Sequence, residues 1–277
     1  MDLSMLSEEI DLKYEIDEPE VSSDSYILSR PHFKVKEDDF FLDVKNVAQY
    51  RVRKGQTIRV NPYDNADEDS VNLFLEGSVL GALLHQRGLL PFHGSSFSYK
   101  EKGILVCGHS GAGKSSVTAA FHQQGASFIN DDITPVSVSD METRILPIKT
   151  RIKLWHDSLD KLNISADNLN RIRPQLDKFY LPVEKGTGSD HKLDYIFVLQ
   201  SHQEDEYSAS ELNGIEKYNV LRKQIYRKVY LKGMPETEKT YFKQLFILAK
   251  RVPVIRIMRP AICEIIDTMR FIEKNIL

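Results

Sequence analysis

The chain has 277 residues, 41% of them hydrophobic, and a formal net charge of −3, enough for one large domain or a domain with a smaller lobe. So balanced a charge excludes the basic stripe that nucleic-acid binding needs. The two cysteines, Cys107 and Cys263, sit in apolar contexts and exclude a disulfide framework. No run of about eighteen apolar residues predicts a membrane span. The N-terminus lacks the basic region and apolar run of a secretory signal, so a cytoplasmic protein is expected.

Residues 1–24 are acidic, opposed only by Lys13, and read as a solvated, flexible tail. A second reading is an arm that contacts a basic partner. Residues 25–66 carry short alternating runs at 26–28, 32–35, 40–44, 50–53 and 57–60. They predict a small N-terminal antiparallel β lobe, with 50–60 as a hairpin through Lys54-Gly55-Gln56. The rest of the chain, 67–277, reads as one larger domain. Val71, Phe74, Leu75, Val79, Ala82 and Leu83 recur at helical spacing, which predicts a helix over 70–86. A strand follows from 89 to 97 and contains His93-Gly94-Ser95. A turn over 99–103 leads into a buried strand, 103–107. An antiparallel strand beside that one is unusual for the commonest nucleotide-binding folds, where a parallel sheet dominates.

Next comes Gly108-His109-Ser110-Gly111-Ala112-Gly113-Lys114-Ser115, which fits G-x-x-x-x-G-K-[ST], the Walker A pattern of a phosphate-binding loop. The strand before it and a helix over 115–124 supply the required context. Gly108, Gly111 and Gly113 let the amides of the loop, Ser110 and Ala112 included, turn inward. The helix start at Ser115 and Ser116 adds partial positive charge, so a polyphosphate is held there. Lys114 is placed to reach the outer phosphates, and Ser115 to hold Mg²⁺. The bland reading is a glycine-rich turn between a strand and a helix.

A strand over 126–129 then delivers Asn130-Asp131-Asp132 close to that loop. Paired carboxylates there suit Mg²⁺ ligation and proton acceptance from an attacking hydroxyl. Asp132 is assigned as base and Asp131 as the metal-side partner, although spacing leaves the reverse order open. A turn that uses Asp, with Asp131 capping it, is the alternative. His93 could touch the transferred phosphate or the nucleophile, or be a structural histidine at a strand end.

Further strands are expected at 134–138 and 144–147, then the alternating cations Lys149, Arg151 and Lys153 before Leu154-Trp155. A helix over 157–162, a loop over 185–191 and a buried strand over 195–199 follow. Residues 201–215 are polar and read as a loop. Helices are expected at 217–232 and 236–250, a strand at 252–257, and a closing helix at 260–275. Positive charge must offset the charge that develops on a transferred phosphoryl group. Lys149, Arg151, Lys153, Arg171, Arg173, Lys178, Arg222 and Arg227 are the candidates, Arg151, Arg173, Lys178 and Arg227 foremost, although most surface cations are merely solvated.

Leu90-Pro91-Phe92-His93-Gly94-Ser95, the loop at 108–115 and Asn130-Asp131-Asp132, in that order, resemble the C-terminal kinase domain of the HPr kinase family. Phe74-Leu75-Glu76-Gly77-Ser78-Val79-Leu80-Gly81, Ile152-Lys153-Leu154-Trp155, Arg173-Pro174 with Lys178, Tyr226-Arg227 and Arg259-Pro260 extend the resemblance. They bring it to the short HPr kinase-like proteins that include kinases of lasso peptide precursors. The resemblance implies an α/β domain related to phosphoenolpyruvate carboxykinase, with a mixed sheet. It also implies an ATP- and Mg²⁺-dependent serine kinase that acts on a peptide or protein, lasso peptide precursors being one such class. Lys114 and Ser115 match the family's phosphate-loop residues, Asp131-Asp132 its catalytic carboxylate and His93 its upstream histidine. Family relatives can be oligomeric, so an assembly is open. This chain has a small lobe in place of the family's larger N-terminal domain. Residues 145–150 do not match its glycine-rich signature for the reverse reaction. HPr itself and dephosphorylation are therefore not carried over. Two other readings stay in view: a kinase of a small serine-like molecule, and a nucleotide-binding regulator without transfer activity.

Overall fold

The computed structural model describes residues 11–14, 26–148, 151–173, 176–183 and 191–277. The N-terminal lobe is the expected meander. It comprises β2 (Leu28–Ser29), β3 (Phe33–Lys36), β4 (Asp39–Val44), β5 (Ala48–Arg53) and β6 (Thr57–Pro62), each antiparallel to the next. Its register aligns Phe40 with Val52 and Ile58, and Leu42 with Tyr50 and Val60, so one face is apolar throughout. Of the acidic stretch 1–24, only β1 (Asp11–Tyr14) is described. It is a strand parallel to β6 rather than part of a flexible tail, and the remainder lies outside the described residues.

The apolar face of the lobe packs on the helical segment that follows. The single helix expected over 70–86 is α1 (Glu68–Phe74), a π-helical turn (Leu75–Val79) and α2 (Leu80–Gln86). Asp67 caps α1 by accepting from the Ser70 amide at 2.9 Å. The glycines at 77 and 81 admit the Tyr226 ring. A Cβ on Gly81 would lie 3.0 Å from two ring carbons, and one on Gly77 would lie 3.3 Å from the hydroxyl. Single-turn π segments of this kind interrupt helices where something must fit closely.

The larger sheet is mixed, as the resemblance implied. Its order is β11-β10-β7-β8-β14-β16-β15, with β9 also on β7. These strands are β7 (Leu90–Tyr99), β8 (Lys102–Gly108), β9 (Ser127–Asn130), β10 (Ile133–Val138), β11 (Thr143–Ile145), β14 (His191–His202), β15 (Ser208–Glu211) and β16 (Val254–Pro260). β14 runs parallel to β8 and β16, whereas β7 is antiparallel to β8. Along β8, Ile104 and Val106 face α3 (Lys114–Gln123) and α7 (Ile265–Asn275). Leu105 and Cys107 face α5 (Gly214–Lys223) and α6 (Pro235–Arg251). Both faces are covered, which is why this strand reads as a continuous apolar run. Among the described residues no helix is long and apolar enough to cross a membrane.

Elsewhere the structure departs from the sequence reading. The helix expected over 217–232 stops at Lys223, and a 3₁₀ helix (Lys228–Gly233) begins after Arg227, whose φ is +49°. Residues between them are drawn into pairing with β7. The His93 amide donates to the Gln224 carbonyl at 2.7 Å, and the Tyr226 amide to that of Pro91 at 2.7 Å. The expected loop over 201–215 contains β15, whose four residues are all exposed and carry no apolar signal. Two strands absent from the sequence reading, β12 (Arg151–Trp155) and β13 (Lys178–Pro182), form a separate antiparallel ribbon, with α4 (His156–Lys161) directly after β12. The closing helix starts at Ile265 rather than 260. Most of the expected loop over 185–191 lies outside the described residues; His191 opens β14.

His85 on α2 is fully buried, with Nε2 2.9 Å from the Tyr226 carbonyl and Nδ1 3.1 Å from the Tyr241 hydroxyl. Burial pulls its pKa down to about 4. An unfolded chain binds a proton there below about pH 6.5, and the folded chain does so only near 4. Stability therefore falls as pH drops through that window, by about 3 kcal/mol in full. Urea unfolding at pH 7 and pH 4 measures it: the drop for His85→Gln is expected to be smaller than that for the native chain by about this amount.

Candidate functional site

β8 ends at Gly108, and the glycine loop leads directly into α3. Gly111 and Gly113 take φ of +81° and +97°, a backbone that other residues enter only with strain. Lys114, the first residue of α3, is buried, and its ammonium donates to the carbonyls of Gly108 at 3.1 Å and His109 at 3.0 Å. Burial lowers its pKa, against the pull of nearby Asp131 and Asp132. The ammonium is thus folded back over the loop, ready to exchange neutral carbonyls for an anion.

The carboxylate pair sits in a break between two strands. β9 and β10 both run antiparallel to β7, with Asn130 opposite Ser96 and Ile133 opposite His93. Between them Asp132 adopts φ +72°, which Asp tolerates better than most side chains, and the pair leaves the ladder. Asn130 pins the break: its Nδ2 donates to the Leu146 carbonyl at 2.9 Å, and its Oδ1 accepts from the Ile148 amide at 2.8 Å.

The two carboxylates then have different surroundings. Asp131 is only 2% exposed and accepts from the Ser115 hydroxyl at 2.7 Å, the Lys153 amide at 2.8 Å and the Ser95 hydroxyl. Asp132 is partly open, and its Oδ2 accepts from the Lys153 ammonium at 2.9 Å. Burial alone would lower the Lys153 pKa, but the Asp132 charge outweighs it, and the net shift is upward. His93 Nδ1 lies 3.1 Å from the Asp132 carbonyl and 3.6 Å from its Oδ1. Burial first, then the Lys114 charge, lowers the His93 pKa, so the ring is neutral at pH 7.

Most of the residues singled out in the sequence meet in one cavity of about 510 Å³. His93, Ser110, Gly111, Gly113, Lys114, Ser115, Ser116, Asp131, Asp132 and Lys178 all line it. Gly108 and Ala112 lie beneath, with Ala112 buried. Arg151, Arg173 and Arg227 are not among its lining residues. Arg151 instead bonds Glu76 at 2.7 Å and lies 3.6 Å from the Tyr180 ring centroid, while Arg227 is exposed. Lys149 lies outside the described residues. Ser95 and Trp155 were given no role from the sequence, and Lys153 stood there as one of several candidate cations.

Ser115 Oγ and the Asp131 and Asp132 carboxylates are hard oxygen donors, the chemistry that suits Mg²⁺. Among the described residues no group of three His, Cys, Asp or Glu side chains converges on one point.

No family model matches this chain, and no curated protein matches it by sequence. Among solved structures the HPr(Ser) kinase/phosphatase from Coxiella burnetii is similar at 11% identity. The match covers 67% of this chain and 94% of that one, with a TM-score of 0.34. That is a distant likeness of fold, and the functional reading rests on the geometry of the site.

Proposed function

We propose that the protein is a Mg²⁺-dependent kinase that moves the γ-phosphoryl group of ATP to a hydroxyl, with a serine of a peptide or protein as the acceptor implied by the family resemblance. One observation carries the reading: Ser115 and Asp131 share a 2.7 Å hydrogen bond, and Asp132 opens beside them into the same cavity as the glycine loop. A turn that merely uses Asp would not need a buried carboxylate with three donors next to a lysine-bearing helix start.

The loop amides and Lys114 hold the phosphate chain. Ser115 and Asp131 would hold Mg²⁺, which would supply positive charge to the phosphate oxygens. Asp132 accepts the acceptor's proton as the new O–P bond forms and the bond to the β-phosphate oxygen breaks. Lys153, paired with Asp132 at 2.9 Å, places a positive charge beside the transferred group. Neutral His93 is positioned to orient the acceptor hydroxyl.

The test is direct. The purified protein is incubated with Mg²⁺-ATP and a panel of serine-containing peptides, precursor peptides of lasso type among them, together with free serine. Products are read by intact mass. A phosphate-sized gain on a peptide, lost in Lys114→Ala, is expected. Gain on free serine alone would move the acceptor to a small molecule, and ATP binding without transfer to any acceptor would leave a regulator.

A further inference from the structure

A second cleft, of about 150 Å³, lies on the other side of the glycine loop. It is lined in part by Val117, Lys161, Arg259, Cys263 and Thr268. It meets the first cavity at Gly111, Gly113, Ser116, Asp157 and Ser158, and the Ser116 and Ser158 hydroxyls are 3.1 Å apart at that junction. None of the roles assigned above uses its remaining walls, Lys161, Arg259, Cys263 and Thr268 among them.

We infer that this cleft holds the nucleoside end of the triphosphate, with Arg259 as the cation beside the phosphate nearest the sugar. The inference rests on the kinase reading for the direction of the phosphate chain. Lys114, Asp132 and Lys153 mark where the outer phosphate is transferred. The chain must then run away from them, over the first turn of α3 and past Ser116, and Ser116 is where the second cleft opens. Arg259 ends β16 and is held in place. Its Nε donates to the Ala112 carbonyl of the loop at 3.1 Å, and its Nη1 to the Pro260 carbonyl at 2.9 Å. Nε and Nη2 stand 3.9 Å from where a Cβ on Gly113 would be, so the flat guanidinium faces the loop where only a glycine stands. A planar, permanently charged group suits both a phosphate oxygen and the face of a sugar or base. Trp155, on the wall of the first cavity, is the competing place for a base.

Cys263 makes the inference testable in the native protein. Its sulfur lies 3.3 Å from Arg259 Nη1 and lines the cleft. The other thiol, Cys107, is fully buried, and burial pushes its pKa up to about 12, so alkylation reports Cys263 alone. The rate of N-ethylmaleimide labelling is measured with Mg²⁺ and either ATP or inorganic tripolyphosphate, each at ten times its dissociation constant by equilibrium dialysis. ATP is expected to slow labelling about tenfold, because only the free protein reacts, and tripolyphosphate by less than about twofold. In a second measurement Cys263→Trp fills the cleft and is expected to weaken ATP about tenfold while leaving tripolyphosphate affinity unchanged. Equal protection by both ligands, or bound ATP that neither protects Cys263 nor weakens in Cys263→Trp, would overturn the assignment. Should Cys263 prove inert, the variant decides alone. Failure of the native protein to bind ATP in the dialysis would instead sink the kinase reading, and this inference with it.

Discussion

Asp132→Asn is expected to lower turnover about 10²–10⁴-fold, the usual loss when a positioned base is removed. Mg²⁺-ATP affinity should change by less than about threefold, because the interaction removed matters in the transition state rather than in nucleotide binding. Asn keeps the size and one acceptor oxygen of Asp132, so the left-handed backbone and the contact to Lys153 survive in outline. What is lost is the charge. Asp131 is a poor candidate for the same role. Three hydrogen bonds, from Ser95, Ser115 and the Lys153 amide, occupy its two oxygens, and it is almost wholly buried. Asp131→Asn should therefore act differently. Its amide would face donors on both sides and disturb Ser115, so nucleotide and Mg²⁺ binding should weaken along with turnover. Steady-state kinetics and equilibrium dialysis on the two variants separate these outcomes. Undiminished turnover in Asp132→Asn would remove the base assignment.

Asp39→Ala should cost about 3–5 kcal/mol of stability, a large share of the 5–15 kcal/mol typical of a domain. Asp39 is 3% exposed and Arg51 7%. The guanidinium is bound in a forked arrangement, with Nε 3.0 Å and Nη2 2.7 Å from the two carboxylate oxygens, and Arg53 Nε approaches at 3.4 Å. Truncating the carboxylate leaves a buried guanidinium without its forked partner, and that desolvated charge is the source of the cost. An exposed pair would contribute less than about 1 kcal/mol. Urea unfolding followed by circular dichroism reads the difference, and a loss below about 1 kcal/mol would show that water reaches this pair.

The parts of the structure that were legible in the sequence are those with a local physical signature. Lobe strands such as 50–53 and 57–60 alternate, β8 is an unbroken apolar run, and the glycine loop has a fixed spacing, so each could be read without knowledge of its neighbours. The carboxylate pair was legible because one helix and a short return limit where Asp131 and Asp132 can go. What was not legible depends on partners distant in sequence. β15 has four exposed residues and exists because β16 offers it an edge. The stop of α5 before Ile225 reflects backbone pairing to β7 that outweighs a helical apolar pattern. Lys153 looked like one of several surface cations, because its burial depends on β13 and on the carboxylate it faces. Arg151 carried the same charge signal, yet it bonds Glu76 instead.

The break between β9 and β10 also limits how this chain can vary. Asn130 and Ile133 are each locked to the same strand, opposite Ser96 and His93. Losing or gaining one residue between them would force one flanking strand to slip by one position. A slip by one turns every side chain of that strand to the opposite face, and Ile133 and Val136 would leave the core. The carboxylate pair can thus be altered by substitution but not by a change in chain length. The β12–β13 ribbon pairs with neither larger sheet, so Trp155 and Lys178, which line the cavity, can change without any such slip.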